Sequence, residues 1–495
     1  MRALLLLPLL LGLTPLPQPA AAAEPGPDVT LPKVTARAKA SRIGGIRAGT
    51  QPCPEGVPNG VECMAGQDYL GAWYWLAKPK DWNGVLVLHT HDEPDLETPD
   101  PERPARDMVH WKAWLEAGYA WAGSGFRAAG YDAENAAEDS ERVRQEFIGE
   151  FGEPKRVLLH GHGWGAPVAT RMAQRYTTPD FHPKRGGSGK RPYDAVLITN
   201  GQLAGARAFD AWLDLRVLYQ AVCRNHPAAN ETAYPLWMGL PLNAKLADDD
   251  LARRVDDCTG VARKPAQRST AQQQALATLL RLTGLPEAGL LPQLRHATFD
   301  LQYLVWQQLG GRSALGNEGI AYGGAGDAAL NRALPRYKID AAARGMLEGL
   351  SDAGGLVHVP VLTLHAVGDP VAVVEQTSFW RQSMEEAGTA AQLLQVVMPG
   401  TDHDTVPAAA LTAAARTLLD WVQSGQRPAA TAVARACAGC GWRTDLPVAT
   451  LASRVPERRP VASRTTVQVL GAPNVAAPEI IPAAPLKAPL PPAEP

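Results

Sequence analysis

The chain has 495 residues, a formal net charge of −2, 45% hydrophobic residues and 20% charged residues. That balance lacks the basic excess by which proteins hold nucleic acid and the charge load of a disordered chain; one large core is expected, and no nucleic-acid partner. The apolar run Ala3 to Leu13 is shorter than the roughly 20 residues that cross a bilayer, and nothing downstream approaches that length, so no membrane span is expected.

In chain order, Arg2, the apolar run and Ala21-Ala22-Ala23 read as an export signal over 1–23, which predicts a secreted or periplasmic protein. Residues 24–66, rich in Pro, Gly and Ala, read as an N-terminal extension. From 67 to 203 short apolar runs alternate with helical stretches, the pattern of an α/β protein with a mostly parallel sheet. The strands are Gly84 to His89, Tyr119 to Ser124, Arg156 to His160 and Ala195 to Thr199; the helices are Pro104 to Ala117, Ala133 to Phe151 and Ala166 to Tyr176. Strand signals stop over 204–355, where Leu, Ala and Arg recur at helical spacing, so this segment is expected to be a helical cap inserted into the core. Alternation resumes over 356–427, with strands Pro360 to His365 and Gln392 to Val397 and helices near Glu375 to Ala387 and Pro407 to Ser424. Residues 428–495 read as a C-terminal extension with a Pro-rich tail after Gly471, which could contact an envelope partner.

Six cysteines in an exported chain predict disulfides, and the simplest pairing is local: Cys53 with Cys63, Cys223 with Cys258, Cys437 with Cys440. The Cys437–Cys440 run lacks the second Cys or His pair of a zinc site and the surrounding βαβ pattern of a redox motif. The run Gly187-Ser188-Gly189-Lys190 lacks the Ser or Thr that follows the lysine of a phosphate loop, and Lys184 stands where its first glycine belongs, so it reads as a surface loop.

The strand Arg156 to His160 runs into Gly161-His162-Gly163-Trp164-Gly165-Ala166 and then a helix. This is the strand–turn–helix setting of a G-x-S-x-G nucleophile elbow with every element present except the serine. On these residues, on Gly118-Tyr119-Ala120 and on Asn317-Glu318-Gly319 with Tyr322, the chain resembles secreted bacterial α/β hydrolases of the serine esterase, lipase and peptidase superfamily, over roughly Tyr69 to Pro428. The resemblance implies an α/β-hydrolase fold and a triad in the order nucleophile, acid, histidine. It places the acid at Asp369, in Gly368-Asp369-Pro370, and the histidine at His403, in Gly400-Thr401-Asp402-His403-Asp404. The nucleophile position falls on Gly163, which has no side chain with which to attack a carbonyl.

The oxyanion region departs too. After the strand GVLVLH, His91 matches the family's histidine, but Asp92 stands in place of a glycine and Glu93 follows. The donors for an oxyanion would be the backbone N–H groups of Trp164 and of a residue near Glu93, and carboxylates there would oppose the charge. Ser124 is the best substitute nucleophile by position, although packing explains it more simply, and His403 could activate a water. His89, His91, His160 and His162 gather at the same strand ends; His89 and His91 have a spacing that a divalent ion accepts, but core packing is the simpler reading, and neither metal nor cofactor is expected. The leading expectation is a pseudohydrolase binding a small or acyl-type ligand. The alternatives are an ester hydrolase with a non-standard nucleophile or His403-activated water, and a metal-assisted hydrolase.

Overall fold

The computed structural model of the chain describes residues 46–178 and 191–444. The expected export signal, the loop at 187–190 and the Pro-rich tail lie outside them. No helix among the described residues is long and apolar enough to cross a membrane.

Nine strands form one sheet: β1 (Ile46–Gln51), β2 (Val61–Gln67), β3 (Trp73–Pro79), β4 (Val85–Thr90), β5 (Ala120–Ser124), β6 (Arg156–His162), β7 (Ala195–Thr199), β8 (Val361–Ala366) and β9 (Leu393–Met398). Their order is β1-β2-β3-β5-β4-β6-β7-β8-β9. Pairings from β5 through β9 are parallel, and β1, β2 and β3 add antiparallel strands at one edge. Residues 46–66, expected to stand outside the core as an extension, thus supply two strands of the sheet.

The central strands are buried on both faces, which is why they read as continuous apolar runs. Alternate residues feed two core layers. Leu86, Leu88, Val157, Leu159, Val196 and Ile198 pack with Val143 and Phe147 of α3 (Ala133–Phe151) and Val168 and Met172 of α4 (Gly165–Tyr176). On the other face Val87, Leu158, Leu197, Leu362 and Leu364 meet Met108 of α1 (Arg103–His110), Trp114 of α2 (Ala113–Glu116) and Leu411, Leu418 and Trp421 of the helix Ala408–Ser424. The three disulfides are the three local pairs.

Between β7 and β8 the chain is helical apart from its connecting loops. The cap is built around α5 (Ala206–Cys223), which buries residues on every side, among them Asp210, Asp214 and Arg216. Packed near it are α6 (Asp248–Thr259), α7 (Thr270–Thr283) and α8 (Leu290–Arg295), which runs on through Gln308 with two wide π-type turns, His296–Asp300 and Leu304–Gln308. Asn317 and Tyr322 are structural here: the Asn317 side chain donates to Pro335 O and accepts from Tyr337 N, and the Tyr322 hydroxyl donates to Asp214.

The cap also holds an acid-sensitive group. His226 is 1% exposed, its Nε2 lies 3.1 Å from Thr298 Oγ1, and Arg216 donates to its carbonyl. Burial, then the charges of Arg216 and Arg254, push its pKa from 6.5 down to about 2. The unfolded chain therefore takes up a proton near pH 6.5 that the folded chain refuses. The stability that neutral His226 contributes is complete above pH 6.5 and is lost as pH falls towards 2, at about 1.4 kcal/mol per unit. Urea midpoints are expected to drop between pH 6.5 and 4.5, and His226→Gln should flatten that slope; an equal slope in the variant would refute the assignment.

Candidate active site

The register of β4, β5 and β6 sets the site. His89 pairs with Gly123 on one side and His160 on the other, and His162 pairs with Thr199 of β7. The loops after β4, β6, β8 and β9 therefore open at one end of the sheet, bringing residues 92, 163, 369 and 403 together from four parts of the sequence.

The turn from β6 into α4 has a backbone that favours glycine at two places. Gly163 has φ +48°, and a Cβ on Gly165 would collide with the carbonyl of Thr90. A Cβ on Gly163 meets a different obstacle, the carboxylate of Asp92. Asp92 is more than an opposing charge beside the elbow: it also fills the space a side chain at 163 would need. Its Oδ1 accepts the Trp164 N–H (2.9 Å), and its Oδ2 lies 3.1 Å from His403 Nε2.

His403 is held from behind. Its Nδ1 is 2.8 Å from Asp369 Oδ2, while Asp369 Oδ1, fully buried, accepts the N–H groups of Val371 (2.8 Å) and Ala372 (3.0 Å). Burial disfavours a charged imidazole at His403, but the carboxylates of Asp92 and Asp369 outweigh it and hold its pKa well above the ordinary value. For Asp92 burial acts upward, and the His403 charge overrides it and holds the carboxyl well below its usual range. The result is an imidazolium donating one N–H to each of two aspartates.

Two residues that the sequence did not single out fix this arrangement. Arg103 of α1 donates to the backbone carbonyls of Asp92 and Glu93 and lies 3.4 Å from Asp95 Oδ1, pinning the loop that delivers Asp92. Asn200, at φ +45°, donates through Nδ2 to His403 O (2.6 Å) and accepts Ala366 N–H (2.9 Å), tying the His403 loop to the end of β8. An asparagine directly after a strand was the available signal, because Asn tolerates this backbone region.

The other expected residues divide. His162 is 2% exposed; its Nδ1 is 2.8 Å from Thr199 Oγ1, and its Nε2 lies 4.0 Å from Asp92 Oδ2. Burial, moderated by Asp92, lowers its pKa to about 4, so it is neutral. His91 turns aside: its ring stacks on Phe126 at 4.1 Å and its Nδ1 bonds the carbonyl of Asp92. Glu93 is exposed, with φ +41°. Ser124 Oγ accepts the Phe126 N–H (3.1 Å) and closes the turn after β5. His89 and His160 face each other through Nδ1 at 3.1 Å among Trp111, Trp114 and Trp121, and burial keeps both neutral. His89 and His91 therefore make no common ligand pair. Among the described residues, the imidazoles and carboxylates whose donor atoms lie close enough together to share an ion are His162, His403, Asp92 and Asp404.

From the elbow, aromatic rings lead into the cap: Trp164 meets Tyr131 at 5.8 Å, Tyr131 meets Phe209 at 5.0 Å, and Phe209 meets Trp212 at 4.7 Å. Trp212 stacks on His296 at 5.1 Å, and Asp300 binds both His296 Nδ1 (2.9 Å) and the Tyr131 hydroxyl.

No protein-family model matches the sequence. An o-phthalyl amidase of Xanthobacter agilis is 28% identical over 152 residues, so the match spans 30% of this chain and 30% of that protein. Among solved structures, an esterase from Aspergillus oryzae overlays 78% of this chain and 86% of its own at 10% identity and a TM-score of 0.42. Candida antarctica lipase A overlays 81% and 85% at 12% identity and a TM-score of 0.42. The nine-strand order, the β6–α4 elbow, the loops after β8 and β9 that converge on it, and the helical insertion between β7 and β8 make this chain an α/β-hydrolase-fold protein.

Proposed function

We propose that this protein is a hydrolase-type scaffold that binds a small carboxylic-acid derivative without turning it over through an acyl-enzyme. One observation carries the reading: the Asp92 carboxylate stands in the space of the missing side chain at 163, with one oxygen on the Trp164 N–H and the other on His403 Nε2. In a serine hydrolase of this fold those contacts serve the oxyanion and the nucleophile's hydroxyl. Here an internal carboxylate holds both, and His403, engaged through both ring nitrogens, has no free lone pair with which to take a proton from serine or water. The run from Trp164 to Trp212 supports an apolar or aromatic acyl body. The short match to an amidase whose name specifies an o-phthalyl group agrees with that ligand class. The disulfides, together with the N-terminal signal read from the sequence, support a protein that works outside the cytoplasm.

The test uses the purified protein after dialysis against a chelator. A benzoyl amide should quench tryptophan fluorescence saturably, while p-nitrophenyl acetate and butyrate are cleaved no faster than in the His403→Ala variant. Ester cleavage that disappears with His403→Ala would overturn the proposal in favour of an active hydrolase with an unusual nucleophile.

A further inference from the structure

We infer that Asp92, His162 and His403 form a binding site for one divalent transition-metal ion of the zinc class, with Asp404 at its open side. This goes beyond the acyl-binding reading and stands on separate observations. A donor atom from each of the four residues lies within 4.8 Å of every other. The two imidazoles are arranged alike. His162 Nδ1 is held by Thr199 Oγ1 (2.8 Å) and His403 Nδ1 by Asp369 Oδ2 (2.8 Å), and each ring turns its Nε2 towards the carboxylate of Asp92, at 4.0 Å and 3.1 Å. A hydrogen bond to the far nitrogen is what orients a histidine ligand and sets which nitrogen faces the metal.

The independent pointer is His162. It is 2% exposed, and its Nε2 has no hydrogen-bond partner although it faces the charged pair Asp92–His403. A buried polar nitrogen left without a partner is unfavourable, and a metal ion between the three groups removes that cost. The missing side chain at 163 is part of the same geometry, because only a glycine there leaves room for Asp92 to reach both imidazoles.

The donor set selects the ion. Two imidazole nitrogens with one or two carboxylates suit zinc, cobalt or nickel, the ion displacing to solvent the proton that His403 Nε2 otherwise shares with Asp92, whereas calcium and magnesium require more oxygen ligands. Asp404 is exposed at the rim, so the ion would keep contact with solvent or with a ligand oxygen.

The experiment is calorimetric titration of chelator-stripped native protein with ZnCl2, and with CaCl2 for comparison, followed by cobalt substitution and its visible spectrum. The expected result is one zinc per chain, no measurable calcium binding, and a tetrahedral-type cobalt spectrum. His162→Gln should weaken zinc binding on the order of 100-fold, and Thr199→Val, which removes only the support of the ring, about 10-fold. Asp404→Asn, an exposed and conservative change, keeps the test valid should His162→Gln fail to fold. It should weaken zinc several-fold and alter the cobalt spectrum. No stoichiometric zinc in the native protein, or zinc affinity unchanged in all three variants, would overturn the site. Because the ester and fluorescence assays use metal-free protein, their failure and the failure of the metal site are separate results.

Discussion

The Gly163→Ser variant is expected to remain inert towards p-nitrophenyl esters, while the Asp92→Gly, Gly163→Ser double variant hydrolyses them on the order of 1,000-fold faster than either single variant. The non-additivity follows from space. A serine Cβ at 163 meets the Asp92 carboxylate, so in the single variant the two side chains compete for one volume and the hydroxyl cannot reach His403 Nε2. The left-handed φ of +48° adds about 1 kcal/mol of strain for any residue with a Cβ. Removing Asp92 alone frees His403 and the Trp164 N–H but supplies no nucleophile. Only together do the changes give a hydroxyl against an imidazole oriented by Asp369, with an unobstructed Trp164 N–H for the oxyanion. Residues that act as one catalytic unit lose most of their effect when any one is absent, which sets the size of the gap. Steady-state rates of the four proteins, each with a His403→Ala partner, decide the matter. A single Gly163→Ser variant as active as the double variant would show that Asp92 moves aside freely and does not block the site.

How much of this could be read from the sequence depended on whether a residue's role was local. The parallel core was legible because strands buried on both faces, such as VLVLHT of β4 and AVLIT of β7, consist of little but apolar residues. The antiparallel edge was not. IRAGTQ of β1 and VECMAGQ of β2 carry small and polar side chains, and their place in the sheet is set by register, β1 on β2 and β2 on β3, rather than by composition. Within the site, residues 163, 369 and 403 lie together because each follows a strand end whose neighbours the topology dictates, and that much the strand pattern made legible. The direction of Asp92 was not legible. Whether a loop carboxylate faces solvent, an oxyanion or an imidazole depends on the path of the loop, and here Arg103, eleven residues on, sets that path through two backbone carbonyls. The same holds for His162, whose orientation comes from a threonine on a neighbouring strand.

The cap depends on one buried ion pair, and breaking it from one side is expected to cost about 3–5 kcal/mol. Arg344, on the helix Ala341–Ser351, donates to both carboxylate oxygens of Asp210 on α5, at 3.0 Å and 2.9 Å, with side chains 2% and 0% exposed. Glu348, one turn further along the same helix, lies 3.3 Å from the Arg344 guanidinium and leaves it charged at any working pH. Arg344→Met keeps much of the apolar stem but abandons the Asp210 carboxylate in a site with no access to water. The penalty is the desolvation of that lone charge rather than the loss of an attraction. The Asp210→Leu, Arg344→Met double variant should therefore recover most of the loss and unfold within about 1–2 kcal/mol of the native protein, since two apolar side chains of similar volume need no partner. Urea unfolding at pH 7 of the native protein, the single and the double variant measures both quantities. A single variant within 1 kcal/mol of native would mean that water reaches Asp210 and the cap is looser than its packing indicates. A double variant no better than the single would place the cost in shape rather than charge. α5 also carries Phe209 and Trp212 of the aromatic run that leads to Trp164, so the Arg344→Met variant should weaken benzoyl-amide quenching as well, and the double variant should restore it.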